Sequence, residues 1–398
     1  MISKDKLVLA YSGGLDTSYC AVHLSQDFGY EVHAISVNTG GFDKAAIALI
    51  ESKAYQMGVA VYKNIEATER YYNEVVKYLI FGNVLKNNTY PLSVSAERII
   101  QAIEIVTYAK SINAKYIAHG STGAGNDQVR FDVIFQILAP EIEIITPIRD
   151  HKLSREQEIA YLKSKGLEMS WDKAKYSINK GLWGTSVGGD QTLTSHLALP
   201  EEAYPSQMIK KEDTLVKLDF LNGELVAIDG QKNTPVKNIQ ILNKLAGAYA
   251  IGRDIHVGDT IVGIKGRVGF EAPAALIIIK AHHLLEKHTL SKWQLQHKDS
   301  MAQYYGMHLH EGQYLDPVMR NMEAFLESSQ SHVSGAVTVT LKPYHFTLNG
   351  VKSDYDLMKS EFGSYGEMNT AWTADDAKGF IKIMSNQNKI IQNINSTA

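Results

Sequence analysis

Cysteine is almost absent from this chain. The single thiol, Cys20, excludes an internal disulfide and any mechanism needing two cysteines, and it fits a reducing compartment. Long apolar runs are missing as well. The longest uninterrupted one, around Ala274 to Ile279, falls far short of a membrane span. The opening MISKDKLVLAYSGG is broken by glycine too soon to read as a signal peptide. A soluble cytoplasmic protein without a membrane partner is therefore expected. Charge of one sign is also lacking: 40 basic and 43 acidic residues leave a net −3, which makes no general electrostatic case for nucleic acid. What is present is an ordinary globular balance, 44% hydrophobic and 21% charged, in 398 residues, enough for two domains and a large core.

Up to about residue 165, strand-like and helix-like segments alternate. KLVLAY (Lys6 to Tyr11), EVHAISVN, VAVYKN, KYIAHG (Lys115 to Gly120) and IEIITP (Ile142 to Pro147) read as strands. Helices are expected after the first strand, over Lys44 to Met57, over Thr68 to Phe81 and over Ser95 to Ser111. That alternation predicts an α/β, doubly wound, parallel-sheet nucleotide-binding domain with its site at the carboxyl ends of the strands. From about Met169 the texture changes to a glycine- and serine-rich loop, then to strands with turn punctuation, including an Asn-Gly hairpin signal at Asn222. The expected organisation is a nucleotide-binding domain over 1–166, an α+β synthetase domain over 167–365, and a C-terminal helix and tail over 366–398, the helix spanning Asp375 to Ile391.

The strongest local signal is SGGLDTS, Ser12 to Ser18, between the first strand and first helix. Adjacent glycines allow the backbone to turn sharply and wrap N–H groups round a phosphate. The hydroxyls of Ser12, Thr17 and Ser18 add donors, and the helix N-terminus adds partial positive charge. There is no P-loop lysine. Asp16 would be repelled by bare phosphates, which leaves a magnesium-bridged role or one of orienting hydrogen bonds. A plain serine-capped Gly-Gly turn is the bland alternative, and the complete string after an N-terminal strand outweighs it. The motif resembles that of the pyrophosphatase-loop enzymes, which split ATP between the α and β phosphates.

A second signal is AHGSTGAGNDQVRFDV, Ala118 to Val133. It follows a strand, carries Gly120, Gly123 and Gly125, and opens a helix for which Asn126 is a good N-cap and Asp127 a favourable first-turn acid. Phe131, Ile134, Phe135 and Leu138 make a buried stripe, and Asn126 and Arg130 stack four apart beside it. An arginine there can grip a carboxylate in bidentate fashion while Asp127 receives an ammonium. The bland alternative is a capped helix with a solvated arginine.

Together, AYSGGLDTS and AHGSTGAGNDQVRF closely resemble the argininosuccinate synthase family; weaker likenesses at KYSINKGLWG (Lys175 to Gly184) and GFIKI (Gly379 to Ile383) extend over nearly the whole chain. The resemblance implies an ATP-dependent ligase of arginine biosynthesis. The ureido oxygen of citrulline attacks the α-phosphate of Mg-ATP, releasing pyrophosphate, and the aspartate amine then displaces AMP. It implies an ATP site at Ala10, Tyr11, Ser12, Gly13, Gly14, Asp16, Thr17, Ser18, Ala34 and Gly120. Citrulline would lie on Tyr90, Ser95, Asn126, Arg130, Ser177 and Ser186, and aspartate on Thr122, Asn126 and Asp127. Asp16 and Asp127 would act in catalysis by positioning. The partners are small molecules, and the family's homotetramer, with C-terminal helices reaching neighbouring subunits, is expected.

Some positions depart from the family. Two pocket glutamates align with Gly188 and Gly258, a tyrosine aligns with Phe270, the second strand ends SVNTGG, and YPLSVSAER stands where most members read YLLGTSIAR. An ammonium buried without a partner costs several kcal/mol. Either the acceptor is N-acetyl- or N-succinyl-citrulline, or Asp190, Asp259 or Glu271 takes over the ammonium. More distant readings are a tRNA-thiolating pyrophosphatase-loop enzyme, which wants paired cysteines, a GMP- or NAD-synthetase-like amidotransferase, which lacks GNDQVRF, and a catalytically silent nucleotide binder. His282-His283 and His308/His310 lack zinc-site spacing, so no metal ligands are assigned.

Overall fold

The computed structural model describes residues 4–397 except 168–175, 364 and 368–369. Met169 and Lys175, from the loop-rich segment beyond the expected 166/167 boundary, lie outside the described residues. The chain divides into two compact units, Met1–Asp354 and Tyr355–Ala398.

The first unit opens with β1 (Lys6–Ala10), α1 (Leu15–Val22), β2 (Glu31–Asn38), α2 (Lys44–Gln56) and β3 (Val61–Glu66). Then come α3 (Thr68–Tyr71), α4 (Lys77–Phe81), α5 (Ser93–Ser111), β4 (Tyr116–Ala118), α6 (Asp127–Leu138), β5 (Glu143–Ile145), α7 (Pro147–Asp150) and α8 (Arg155–Ser164). All five strands are parallel, in the order β3-β2-β1-β4-β5. Alternation along the strands sends Leu7, Leu9, Val32 and Ala34 into one core with α1 and α2, and Val8, Ala10, Ile35 and Val37 into the other with α5 and α6. This is the expected doubly wound sheet. The order reverses at β1, so the carboxyl ends of β1, β2 and β4 open onto a crevice. One expected helix differs: over Thr68 to Phe81 the chain makes a π-helical turn at Tyr72–Val76 between α3 and α4. Tyr71 and Tyr72 are both buried there, so packing overrides a regular helix.

The chain continues with β6 (Ser177–Gly181), β7 (Gly184–Gly188), β8 (Thr214–Leu221), β9 (Glu224–Ile228), β10 (Gln231–Lys232), α9 (Pro235–Gly247), β11 (Arg253–Asp259) and β12 (Lys265–Glu271). It closes the unit with α10 (Pro273–Thr289), α11 (Lys292–His310), α12 (Pro317–Ser328), β13 (Gly335–Lys342) and β14 (His345–Lys352). Two antiparallel sheets result, β10-β9-β8-β13-β14 and β11-β12-β7-β6. The β8–β9 turn has Asn222 at φ 47° and Gly223 at φ 81°, the paired positive angles the Asn-Gly signal calls for. The apolar run Ala274 to Ile279 is part of α10. In the second unit, the expected single helix breaks after Met384 into α13 (Ala374–Met384) and α14 (Asn386–Thr397). Among the described residues, no helix is long and apolar enough to cross a membrane.

A buried ionic knot ties α4, α10 and α11 together. Lys298 Nζ, fully buried, lies 3.0 Å from Glu286 Oε2 and donates to the Phe81 carbonyl at 3.1 Å. Gln330 Nε2 donates to the other Glu286 oxygen at 2.9 Å, and His282 bridges Asn83 and Gln330. A partnered buried charge is tolerated; an orphaned one is not. The Lys298→Met variant strands the Glu286 carboxylate and should lose about 3 to 5 kcal/mol in urea unfolding. A loss below about 1 kcal/mol would mean that the knot carries little of the fold's stability.

Candidate active site

One cleft of 1030 Å³ collects most of the predicted site residues. At its β1 end the SGGLDTS loop turns through Gly13, whose φ of 74° is the left-handed region that glycine adopts without strain. Ser12 N and Oγ both approach Thr17 Oγ1, at 3.4 and 3.3 Å, and Thr17 Oγ1 donates to the Gly14 carbonyl, so the loop's hydroxyls gather at the start of α1. Gly120, at the end of β4, closes on this loop: a Cβ there would lie 3.2 Å from the Asp16 carbonyl carbon, so glycine permits the approach. Ala10, Tyr11, Ser12, Gly13, Gly14, Asp16, Thr17 and Gly120 all line the cleft. Ser18 and Ala34 do not. Ser18 is buried and shares a 3.5 Å hydrogen bond with the Tyr11 hydroxyl. Ala34 faces the α1–α2 core, whereas Ile35 and Val37, on the other face of β2, meet the cleft.

Asp16 has a partner that the sequence reading missed. Glu158 of α8 is buried beside it, with Arg155 nearby. Burial and the adjacent Asp16 carboxylate push Glu158 up to about 8, and burial also raises Asp16, so the pair retains a proton at neutral pH.

The opposite wall is built from α5 and α6. Thr122, Asn126, Asp127 and Arg130 line it, with Tyr90 and Ser95 from the α5 side and Ser177 and Ser186 from β6 and β7. Asn126 sits at the N-cap position but does not cap: its Oδ1 accepts from the Ile261 N–H at 2.8 Å, pinning the β11–β12 loop. Asp127 is gripped twice, by Arg98 Nε at 2.9 Å and by Arg130 Nη1 at 2.7 Å. Burial pushes its pKa up, but the two guanidinium groups outweigh that and hold the carboxyl below its ordinary value. Arg130 is itself buried, donating from Nε to the His310 carbonyl at 2.9 Å and from Nη2 to His310 Nδ1 at 3.2 Å. Ser95 Oγ lies 3.0 Å from the same ring nitrogen. Burial, then Arg130 and Lys86, depress His310 to about 3, so this imidazole is neutral.

Arg98, Glu97, His310 and His119 are cleft residues that sequence reasoning passed over. Arg98 reaches Asp127, Glu97, Gln101 and Asn179. Its signal was present, because Val94, Arg98, Gln101 and Ile105 recur at helical spacing. His119 accepts from the Ser121 N–H at 3.2 Å on Nδ1; Nε2 therefore carries the proton and donates to Asp132 at 2.8 Å, with Arg149 holding the other Asp132 oxygen.

At the divergent positions the space differs. A Cβ on Gly258 would meet His256 Nε2 at 2.6 Å, so the imidazole occupies that room, while at Gly188 the nearest atom, Ser177 Cβ, is 3.9 Å away. Phe270 is buried against Tyr90, ring centroids 5.3 Å apart. Of the three carboxylates expected near an ammonium, Asp259 lines the cleft, Asp190 does not, and Glu271 is buried on Arg253 at 3.0 Å.

A parallel-sheet domain with a glycine-turned anion loop, sharing a cleft with charge-bearing walls that suit amino acids, defines a nucleotide-dependent enzyme acting on amino-acid substrates. Comparison with known proteins agrees. Residues 6–168 match the model of the argininosuccinate synthase N-terminal HUP domain, and residues 176–391 match that of the argininosuccinate synthase C-terminal domain. The argininosuccinate synthase of Methanocaldococcus jannaschii is 36% identical over 363 residues, 90% of this chain and 91% of that one. That of Dictyoglomus thermophilum is 35% identical over 389 residues, 97% of each, and that of Pyrococcus furiosus 36% over 393 residues, 98% of this chain and 95% of that one. The chain belongs to the argininosuccinate synthase family, whose members are ATP-dependent ligases.

Glu97 offers a check on these electrostatics. Burial pushes it from 4.5 up to about 7 against the pull of Arg98 and Thr39. The folded protein therefore holds a proton that the unfolded chain releases between those values, and stability falls as pH rises from 4.5 through about 7. Glu97→Gln should remove about 3 kcal/mol of that fall in urea titrations across the window. An unchanged pH slope would place the carboxyl in a far more polar setting.

Proposed function

We propose that this chain adenylates the ureido oxygen of citrulline with ATP and joins the activated carbon to the amine of aspartate, giving argininosuccinate, AMP and pyrophosphate. The observation that carries this is the meeting, in one cleft, of the SGGLDTS loop with the Thr122–Asn126–Asp127 and Arg130 wall. ATP is read as lying over the loop, its phosphates on backbone N–H groups and the start of α1, with Arg155 beside them. Ala10 to Thr17 and Gly120 form that site; Ile35 and Val37 take the place first given to Ala34, and Ser18 supports the loop from within. Magnesium is read as the counter-ion that ATP brings, and the partnership of Asp16 with Glu158 fits an orienting role for Asp16. Tyr90, Ser95, Asn126, Arg130, Ser177 and Ser186 are assigned to citrulline, and Thr122, Asn126 and Asp127 to aspartate.

The chemistry asks mostly for positioning. In the first step the ureido oxygen forms a bond to the α-phosphorus and the bond to pyrophosphate breaks. In the second the amine bonds to the ureido carbon and the C–O bond to AMP breaks. Fixed cations and N–H donors act where negative charge gathers. Free citrulline is favoured over its acylated forms, since the relatives carry the name argininosuccinate synthase and Asp259 keeps a carboxylate on the cleft wall. A boundary near residue 166, a cytoplasmic setting and a homotetramer complete the proposal. Assembly is supported by the apolar side chains that α13 and α14 leave exposed, among them Phe380, Ile381, Ile390 and Ile394.

Pyrophosphate release from Mg-ATP and aspartate should require citrulline and should not be replaced by N-acetyl- or N-succinyl-citrulline. Release only with an acylated form would overturn the assigned acceptor, and silence with all three would overturn the activity. Asp259→Ala should raise the KM for citrulline roughly tenfold while leaving that for ATP within about twofold. An unchanged citrulline KM would move the ammonium contact elsewhere.

A further inference from the structure

The second step of the proposed reaction has an unmet chemical need. Aspartate arrives as an ammonium, and its nitrogen attacks only after losing a proton, so some group on the cleft wall has to accept it. This inference rests on the function proposed above.

The basic groups lining the cleft can be taken in turn. Asp127 has both oxygens on guanidinium groups and is held below its ordinary pKa. Asp16 is committed to Glu158 within the phosphate loop. Asp259 is solvent-exposed, and its hydrogen bond from Lys265 at 2.6 Å holds it low. His119 has both ring nitrogens engaged, by Ser121 and Asp132. His256 is depressed by burial and by Lys86, and His310 is depressed to about 3. Among the carboxylates and imidazoles lining the cleft, Glu97 is what remains.

Its surroundings suit the task. Glu97 projects from α5 into the cleft, buried but for its face on the cavity. Oε2 accepts from Thr39 Oγ1 at 3.0 Å, and Oε1 accepts from Arg98 Nη1 at 2.8 Å. The same guanidinium reaches Asp127 through Nε at 2.9 Å, so Glu97 and the proposed ammonium-receiving Asp127 sit on two edges of one planar group. A Cβ at Gly181 would overlap Glu97 Oε2, so glycine in β6 leaves room for this carboxylate. The titratable and charged groups facing it are Arg98 on its own helix, Asp127 from α6, the phenol of Tyr71 from α3, and that of Tyr90 from the segment before α5. The β2–α2 loop presents Thr39, and β6 presents Asn179 through Arg98.

We propose that Glu97 is the catalytic base of the aspartate step, taking one proton from the aspartate ammonium. The freed lone pair forms the C–N bond to the ureido carbon of adenylated citrulline. The C–O bond to AMP breaks with its electron pair on the AMP oxygen. The second proton shed by the attacking nitrogen passes to solvent, and the product keeps a single guanidinium charge. With a pKa pushed up to about 7 by burial, Glu97 can both take the proton and return it to water between turnovers.

The two half-reactions separate the outcomes. Citrulline-dependent exchange of labelled pyrophosphate into ATP reports adenylation alone, and argininosuccinate formation reports both steps. Glu97→Gln should slow argininosuccinate formation roughly a hundredfold while exchange changes by less than about threefold. In the parent protein kcat/KM for aspartate should fall tenfold per pH unit below about 7, and Glu97→Gln should lack that limb. Glu97→Asp, which keeps a carboxylate, should recover part of the rate together with the limb. Equal loss of both half-reactions, or an intact acidic limb in Glu97→Gln, would overturn the assignment and leave Glu97 a structural partner of Arg98. Absence of citrulline-dependent exchange in the parent protein would instead overturn the underlying function, and this inference with it.

Discussion

The Asp127 carboxylate between Arg98 and Arg130 is the contact on which the substrate wall depends. Its three members come from two helices, α5 and α6, and the arginines extend outward from it to Asn179 of β6 and to the His310 backbone at the end of α11. Taking such charges out of water costs several kcal/mol per ion, and only close pairing and completed hydrogen bonds make it tolerable. The consequence is rigidity: donors and acceptors on this wall already point where they are held, before any substrate arrives. It also sets the charge state of the neighbours. Asp127 is kept ionised, His310 neutral, and Glu97, one bond further along the same guanidinium, is left near the balance point.

The nucleotide end is governed by a different constraint, close backbone approach. The strand order reverses at β1, which leaves a crevice between the loops after β1 and β4. Those loops meet where position 120 has no side chain to crowd Asp16, and the first of them turns at Gly13 with a positive φ. The proposed anion contacts here come from backbone geometry and a helix start, with Arg155 among the cations lining the cleft. In the proposed reaction the two ends thus divide the work: backbone shape for phosphate, paired side-chain charge for amino acids.

Local signals were legible where local physics decides. The alternating runs located the five parallel strands, and the Asn-Gly pair announced its turn because few residue pairs adopt two consecutive positive φ angles. The two motifs named the loop at one end of the cleft and part of the opposite wall. What escaped depended on distant chain. Asn126 has the right residue type for a cap, yet its side chain is claimed by the Ile261 N–H, 135 positions away in sequence. His310 was dismissed with the other histidines because nothing nearby in sequence says that α11 ends against Arg130. The π turn at Tyr72–Val76 arises where two tyrosines are buried against the core. Ala34 stands apart from the cleft lining for a local reason: alternation along β2 puts positions 35 and 37 on one face and 34 on the other. Glu97 and Arg98 stood in YPLSVSAER and were read only as a departure, although Val94, Arg98 and Gln101 share a helix face.

In the proposed reaction the cleft joins the ureido oxygen of citrulline to the α-phosphorus of ATP before aspartate enters the bond-making. Citrulline carrying ¹⁸O in the ureido group tests it directly, with AMP recovered after a single turnover and its isotopic mass measured. One labelled oxygen is expected in every AMP formed. Label absent from AMP, with the ureido oxygen lost to water or to phosphate released from pyrophosphate, would contradict it.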